Sequence, residues 1–344
     1  MSFRRRGTAA IGLAVAAALS LSACGGATDD AAGGDTGGGK KEAVATGGKD
    51  FGDAAKKTAE YGTDAGAGEF PRTLTHAMGT TKLESAPKRV VVLDVGEFDN
   101  VVSLGLKPVG YAPSEGDAAI PSYLKKDAGN PESVGTINSL NLERIAGLKP
   151  DLILGSQLRA ADLYDELSTI APTVFSIRPG FTWKENYLLN AAALDRTAKA
   201  ESQLAAYEAK AEKLGADIGP DKPTVSMVRY MPDKIRLYAK ASFIGTILQD
   251  VGLPRPANQR IDDLAAEISS ENIDEADADW IFTGVYGDAK ATQRDTARAN
   301  PLWKNLGAVK AGHARDVPDE TWYLGLGVTS ANLVLDDLRA DLVA

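Results

Sequence analysis

The chain is poor in the residues that bind metals directly. Its 344 residues include one Cys, Cys24, and two His, His76 and His313. A single Cys excludes an internal disulfide and any Cys-rich zinc or iron–sulfur site. The two His stand 237 residues apart, without an acidic or cysteine partner at metal spacing, and are read as structural. Basic charge is also scarce, with 38 Lys and Arg against 47 Asp and Glu and a formal charge of −9. A duplex binder needs a basic surplus to displace counterions from phosphates, so nucleic acid is excluded as a partner. G-x-S-x-G, Walker A and a complete G-x-G-x-x-G are all missing, which argues against an enzyme and against a nucleotide-driven motor.

What is present begins with a targeting segment. Arg4, Arg5 and Arg6 precede an apolar stretch from residue 9 to 21, too short for a membrane span of at least ~18 apolar residues. It ends in Leu21-Ser22-Ala23-Cys24, which resembles a bacterial lipobox with Cys24 as the lipidation site; plain secretion is the alternative. Loss of residues 1–23, which hold three arginines and no acid, leaves 321 residues with a charge of −12. Residues 25–50 hold nine Gly and little to bury, and read as a flexible tether with a span on the order of 30 Å. The tether is assigned to 24–69, with order from about Phe70.

From Arg72 onward, short apolar runs at 72–77, 89–94 and 108–111 suggest buried parallel strands of an α/β sheet. LERIAGLKPDLIL at 142–154 aligns without a gap with the segment from Glu271 to Phe282, setting Glu143 over Glu271 and Asp151 over Asp279. Each reads as a helix, capped by Asn141 or by Ser269 or Ser270, that leads into a buried strand. Gly105-Leu106-Lys107-Pro108 and Gly252-Leu253-Pro254 form a second echo. Two similar lobes follow from the echoes, unless two amphipathic segments match by chance. Between them, apolar residues spaced by three and four from Trp183 to Leu214, with no Gly or Pro, mark one helix of roughly 48 Å. The fold expected is α/β and bilobal, with lobes at 70–182 and 216–344 joined by one long helix at 183–215, and a ligand cleft at the junction.

The lipobox, the 142–154 segment, and above all MVRYMPDKIRLYAKASFIGTILQDVGLPRP at 227–256 followed by DETWY at 319–323, resemble the substrate-binding lipoproteins of ferric-siderophore ABC importers. The resemblance runs from Phe70 to the end, and is greatest to hydroxamate (ferrioxamine) binders with a periplasmic-binding-protein-like fold and a helical backbone. It implies a monomer with no cofactor, lipid-anchored on the extracytoplasmic face of the cell membrane. Its cargo would be iron already wrapped by siderophore oxygens, handed to a permease of two subunits or a dimer. Catecholate or carboxylate siderophores, haem and cobalamin stay open as ligands, as does a lipid-anchored enzyme.

A ferric hydroxamate offers polarised oxygens and apolar linkers, for which Arg donors and aromatic surfaces are suited. The candidates are Arg229, Tyr238, Ser242 and Phe243 around the Pro232-Asp233 turn, Gln157 and Arg159 after a strand of the first lobe, and Tyr286, Trp322 and Tyr323 in the second. Each also fits a plainer role, Arg229 as a surface residue of a hairpin and Ser242 as a helix cap. The resemblance further implies that Glu143 and Glu271 dock the permease, one per lobe, although an acid in a first helical turn is also simply favourable to the helix dipole.

Overall fold

Runs of valine and leucine form the centre of two sheets. Val90–Val92, buried throughout, is the middle strand of a parallel sheet in the order Glu132–Ser133, Gly110–Tyr111, Val90–Val92, Leu152–Ser156, Thr173–Ser176. Strands covered on both faces need no polar alternation, and Val90–Val92, Leu152–Ser156 and Thr173–Ser176 are buried throughout, whereas the edge strand Glu132–Ser133 is exposed. The second sheet is mixed. Val225–Tyr230, Trp280–Val285 and Ala314–Asp316 run parallel, while on the other side Ile235–Tyr238 pairs antiparallel with Val225–Tyr230 and Ala265–Ile268 pairs antiparallel with Ile235–Tyr238. The computed structural model describes residues 51–114 and 120–343. The signal peptide, Cys24 and the Gly-rich stretch to residue 50 lie outside the described residues.

The two echoes are built alike. Asp151 accepts the backbone N–H groups of Lys88 and Arg89 at 2.8 and 2.7 Å, and Asp279 accepts that of Thr224 at 2.7 Å. Each aspartate thereby fixes the entry of the neighbouring strand, and the strands then pair in equivalent register, Leu152 beside Val90 and Trp280 beside Val225. Gly105 and Gly252 both end a helix at positive φ, 86° and 74°, a conformation that glycine adopts without steric cost. The helices that open the repeat differ. Leu142–Gly147 is α-helical and capped by Asn141, whose side chain accepts from Arg144 N–H at 2.9 Å, whereas Ser270–Ala276 is a 3₁₀ helix and Ser269 makes no cap bond.

One apolar core is shared by the lobes. Val90, Val92 and Leu152 of the first sheet, Val225, Met227 and Phe282 of the second, and Trp183, Tyr207, Phe243 and Val334 of the helices between them are buried together. The outer face of each sheet has its own smaller core.

Three expectations are corrected. The stretch 183–215 is two antiparallel helices, Trp183–Ala193 and Thr197–Ile218, folded so that Trp183 meets Tyr207 edge to face at 5.0 Å and Tyr187 donates to Gln203 at 2.5 Å. The break is at Asp195, φ 57°, a residue type that tolerates the left-handed region. Its carboxylate is held there by Arg72 at 2.7 Å and by the Gly68 N–H at 2.9 Å. Those bonds also bear on the second correction, because residues 51–69, expected as part of the tether, are folded. Residues 51–72 form a strap in which the helix Ala54–Ala59 packs on Trp183–Ala193, Gly62 bridges Thr75, and the Arg72 guanidinium donates to Ala192 O at 2.9 Å. Third, Arg72–His76 belongs to neither large sheet. It pairs antiparallel with Gly79–Leu83, and the hairpin joins the first lobe where Ala77 N–H donates to Phe175 O at 2.9 Å.

His76 is structural: Nδ1 accepts the N–H groups of Met78 and Phe175 and Nε2 donates to Thr81 at 2.9 Å, while burial pulls its pKa down to about 4. His313 stacks on Trp280 at 4.2 Å.

Candidate functional site

The facing edges of the lobes enclose a cleft of about 1040 Å³. In the second lobe, Met227 and Arg229 lie on one face of Val225–Tyr230, by the two-residue period of a strand, and Val228 and Tyr230 on the other. Met227 enters the shared core, while Arg229, two residues on, lines the cleft. Asp319 accepts from Arg229 Nε at 2.6 Å and from Nη2 at 2.5 Å, and Nη1 donates to the Tyr238 hydroxyl at 3.1 Å. The guanidinium also faces the rings of Tyr286 and Tyr323, at 4.8 and 5.5 Å. Burial opposes its charge, but Tyr238 and Asp319 more than offset this and hold the pKa of Arg229 above its ordinary value. Burial pushes the Asp319 carboxyl up, against the pull of the guanidinium.

Tyr323 donates to the carbonyls of Val228 and Phe282 at 2.9 and 3.1 Å, pinning the 319–323 segment over the sheet. Gly284 makes room for it, since a Cβ at that position would stand 2.4 Å from the tyrosine ring.

The first lobe supplies two more guanidinium groups. Arg159 follows the strand Leu152–Ser156 and bonds Asp94 at 3.0 Å, and Asp94 also caps the helix Val95–Ser103. Arg178 follows the strand Thr173–Ser176. Burial pulls its pKa down to about 10, with the Arg159 charge adding to the fall and the Asp263 carboxylate of the opposite lobe opposing it. Both arginines lie beyond carboxyl ends of strands, where open α/β sheets place their ligands. At the rim, Lys234 and Arg236 share Glu267 at 2.9 and 3.0 Å. Arg159, Arg229, Lys234 and Arg236 of the cleft thus each have a carboxylate within 3.0 Å.

Of the nine expected ligand residues, Arg229, Tyr238, Phe243, Trp322, Tyr323, Tyr286 and Arg159 line the cleft. Two do not. Ser242 is fully buried as a cap, accepting from Gly245 N–H at 3.0 Å and donating to Ala239 O at 2.6 Å. Gln157 turns toward Ala77 O, 3.5 Å away. Arg178, Arg236, Asp263 and Asp319 were not singled out. Arg178 obeys the same strand-end rule that selects Arg159, and Asp319 opens the DETWY motif, so both carried a usable signal. Glu143 and Glu271 lie outside the cleft, exposed at equivalent positions of the repeat. Among the described residues no group of His, Cys, Asp and Glu is placed to hold a metal ion, and no helix is long and apolar enough to cross a membrane.

A family model described as periplasmic binding protein matches residues 90–321. The chain is 37% identical over 282 residues to the probable siderophore-binding lipoprotein YfiY of Bacillus subtilis (strain 168), covering 78% of this chain and 86% of that protein. It is 31% identical over 274 residues to the Fe(3+)-citrate-binding protein YfmC of the same organism, covering 78% and 84%. Among solved structures, Staphylococcus aureus SirA complexed with staphyloferrin B matches with a TM-score of 0.70 and 34% identity, over 78% of this chain and 98% of that one.

Proposed function

The chain belongs to the periplasmic binding protein family, and from that premise we propose that it captures a ferric siderophore outside the cytoplasm for an ABC importer, as a binding protein and not an enzyme. In the finer reading the ligand is a ferric hydroxamate of ferrioxamine type, its iron held by the siderophore alone. The protein is a monomer anchored through lipidated Cys24, and Glu143 and Glu271 dock one permease subunit each.

The observation that carries the hydroxamate reading is the charge balance of the cleft. Arg159 is countered by Asp94, Arg229 by Asp319, and Lys234 and Arg236 by Glu267, while Asp263 acts on Arg178. Such a site donates hydrogen bonds to chelate oxygens without presenting a large net charge, which suits a neutral or singly charged complex better than a multiply anionic one. Tyr286, half-buried at the cleft, and the edges of Tyr238 and Phe243 supply surface for the apolar linkers, while Trp322 lies fully buried behind them. A ferric carboxylate is the second reading, favoured by the ligand in the name of YfmC and by the geometric match of guanidinium to carboxylate.

Trp322 borders the cleft and reports on its occupancy. Ferrioxamine B is expected to quench tryptophan fluorescence at concentrations where iron-free desferrioxamine B does not. Tighter binding of ferric citrate would transfer the assignment to the carboxylate class, and silence toward every ferric siderophore would remove the function.

A further inference from the structure

Arg178 is held from an unexpected direction. Its carbonyl is fixed by Thr182 and Asn186 at 2.7 and 2.8 Å, which places its backbone at the start of the helix Trp183–Ala193. The guanidinium lies 4.3 Å from the ring centroid of Phe51 and 5.1 Å from that of Phe181, and the two rings meet edge to face at 5.1 Å. Arg178 lines the cleft; neither phenylalanine does. Phe51 belongs to the strap, whose far end is tied by Arg72 to Asp195. The strap thus touches both ends of one helix, the cleft end through Phe51 and the turn end through Arg72.

We propose that the strap is part of the ligand site, with Phe51 as a positioning residue that holds the Arg178 guanidinium in the cleft wall. An aromatic face stabilises a guanidinium most where water is excluded, and Arg178 is 3% exposed. With the ring gone, the guanidinium keeps Phe181 and the Nε–H donation to Pro179 O at 3.4 Å but loses its nearer aromatic face, and the rotamer freedom it regains must be given up again on binding, which weakens it. This rests on the reading of the cleft as the ferric-siderophore site.

The test uses the full chain with Phe51→Leu, which keeps apolar bulk and removes the ring face, and Phe51→Tyr, which keeps the face. Calorimetric titration with ferrioxamine B and with ferric citrate gives affinity, and the Arg178 Nε–H resonance, assigned by its loss in Arg178→Lys, reports the ring contact without any ligand. Phe51→Leu is expected to move that resonance and weaken binding about five- to tenfold. Phe51→Tyr should restore both, and Phe51→Leu should add nothing in the Arg178→Lys background. Unchanged affinity in Phe51→Leu with the resonance moved overturns the proposal, as does an additive loss in the double variant. If the unaltered protein binds neither chelate, the functional reading falls first and the proposal falls with it.

Discussion

Arg229, 4% exposed, is compensated by Asp319, which meets its guanidinium with two hydrogen bonds. Removing one partner of such a pair strands the other, at about 3–5 kcal/mol, whereas an apolar pair of like volume is often near neutral. Arg229→Met is therefore expected to lose about 3–5 kcal/mol in urea titrations, with most of it recovered when Asp319→Leu is added. Equal stability of the single variant and the parent would show that the pair is dispensable. The same argument makes Arg229→Ala a poor probe of ligand contact, since lost binding and lost folding coincide. Glu97 is a different kind of buried acid. Burial, reinforced by the Asp94 carboxylate, pushes its pKa up to about 8 from 4.5. The folded carboxyl binds its proton more tightly than the unfolded chain does, so its contribution to stability is full below about pH 4.5 and is lost as pH rises through 8. Glu97→Gln cannot titrate. Its melting temperature relative to the parent should rise steadily between pH 5 and pH 8, and parallel pH profiles for the two proteins would refute the assignment.

At the scale of elements, the turn at Asp195 decides how the connecting helices run. Asp195→Ala removes the counterion of Arg72, a side chain only 2% exposed, and puts at φ 57° a residue that resists that conformation. Asp195→Asn removes the charge but retains an acceptor and the backbone tolerance. Both variants should melt below the parent, the Ala variant being less stable than the Asn variant by about 1 kcal/mol; equal values would mean that the left-handed turn carries no strain. This turn also marks where sequence reading stopped. The period of apolar residues records which face is buried, and it continues across the break because both helices bury a face in the same core. Nothing local announces the reversal, since Asp195 is neither Gly nor Pro and its partner Arg72 is 123 residues away. The strap was missed for the same reason, its ordering contacts being long-range. Gly105 and Gly252 were legible because each acts on its own helix end; Asp151 and Asp279 act on strands 55 to 63 residues away, and were legible only because the segment that carries them recurs in the second lobe. In the cleft, strand-end arginines and aromatics could be picked by type and place. Ser242 could not be separated from them, since a serine before a helix looks the same whether it caps or binds.

Across the whole molecule, the lobes are fastened by more than the connecting helices. Asp99, on a helix of the first lobe, accepts the N–H groups of Thr329 and Ser330 at 3.1 Å each, and so caps the C-terminal helix Val328–Leu342 from outside. Ser122 N–H donates to Glu320 at 2.8 Å, and the Tyr123 hydroxyl to Gly325 O at 3.3 Å. With these ties and a shared core, large hinge closure would break buried bonds and open packed surface. The separation of Glu143 and Glu271 should then be nearly the same with and without ligand. A permease would read occupancy through the cleft rather than through lobe spacing, and the two glutamates would serve attachment alone. The consequence is a clean division of phenotypes. Glu143→Lys and Glu271→Lys, singly and together, should leave ferrioxamine affinity and melting temperature close to those of the parent, since both side chains are exposed and outside the cleft. Iron uptake by cells that rely on this protein should fall in each single variant and be abolished in the double. Normal uptake by the double variant would eliminate the docking role, and a loss of affinity that matches the loss of uptake would show that lobe geometry and ligand binding are coupled after all.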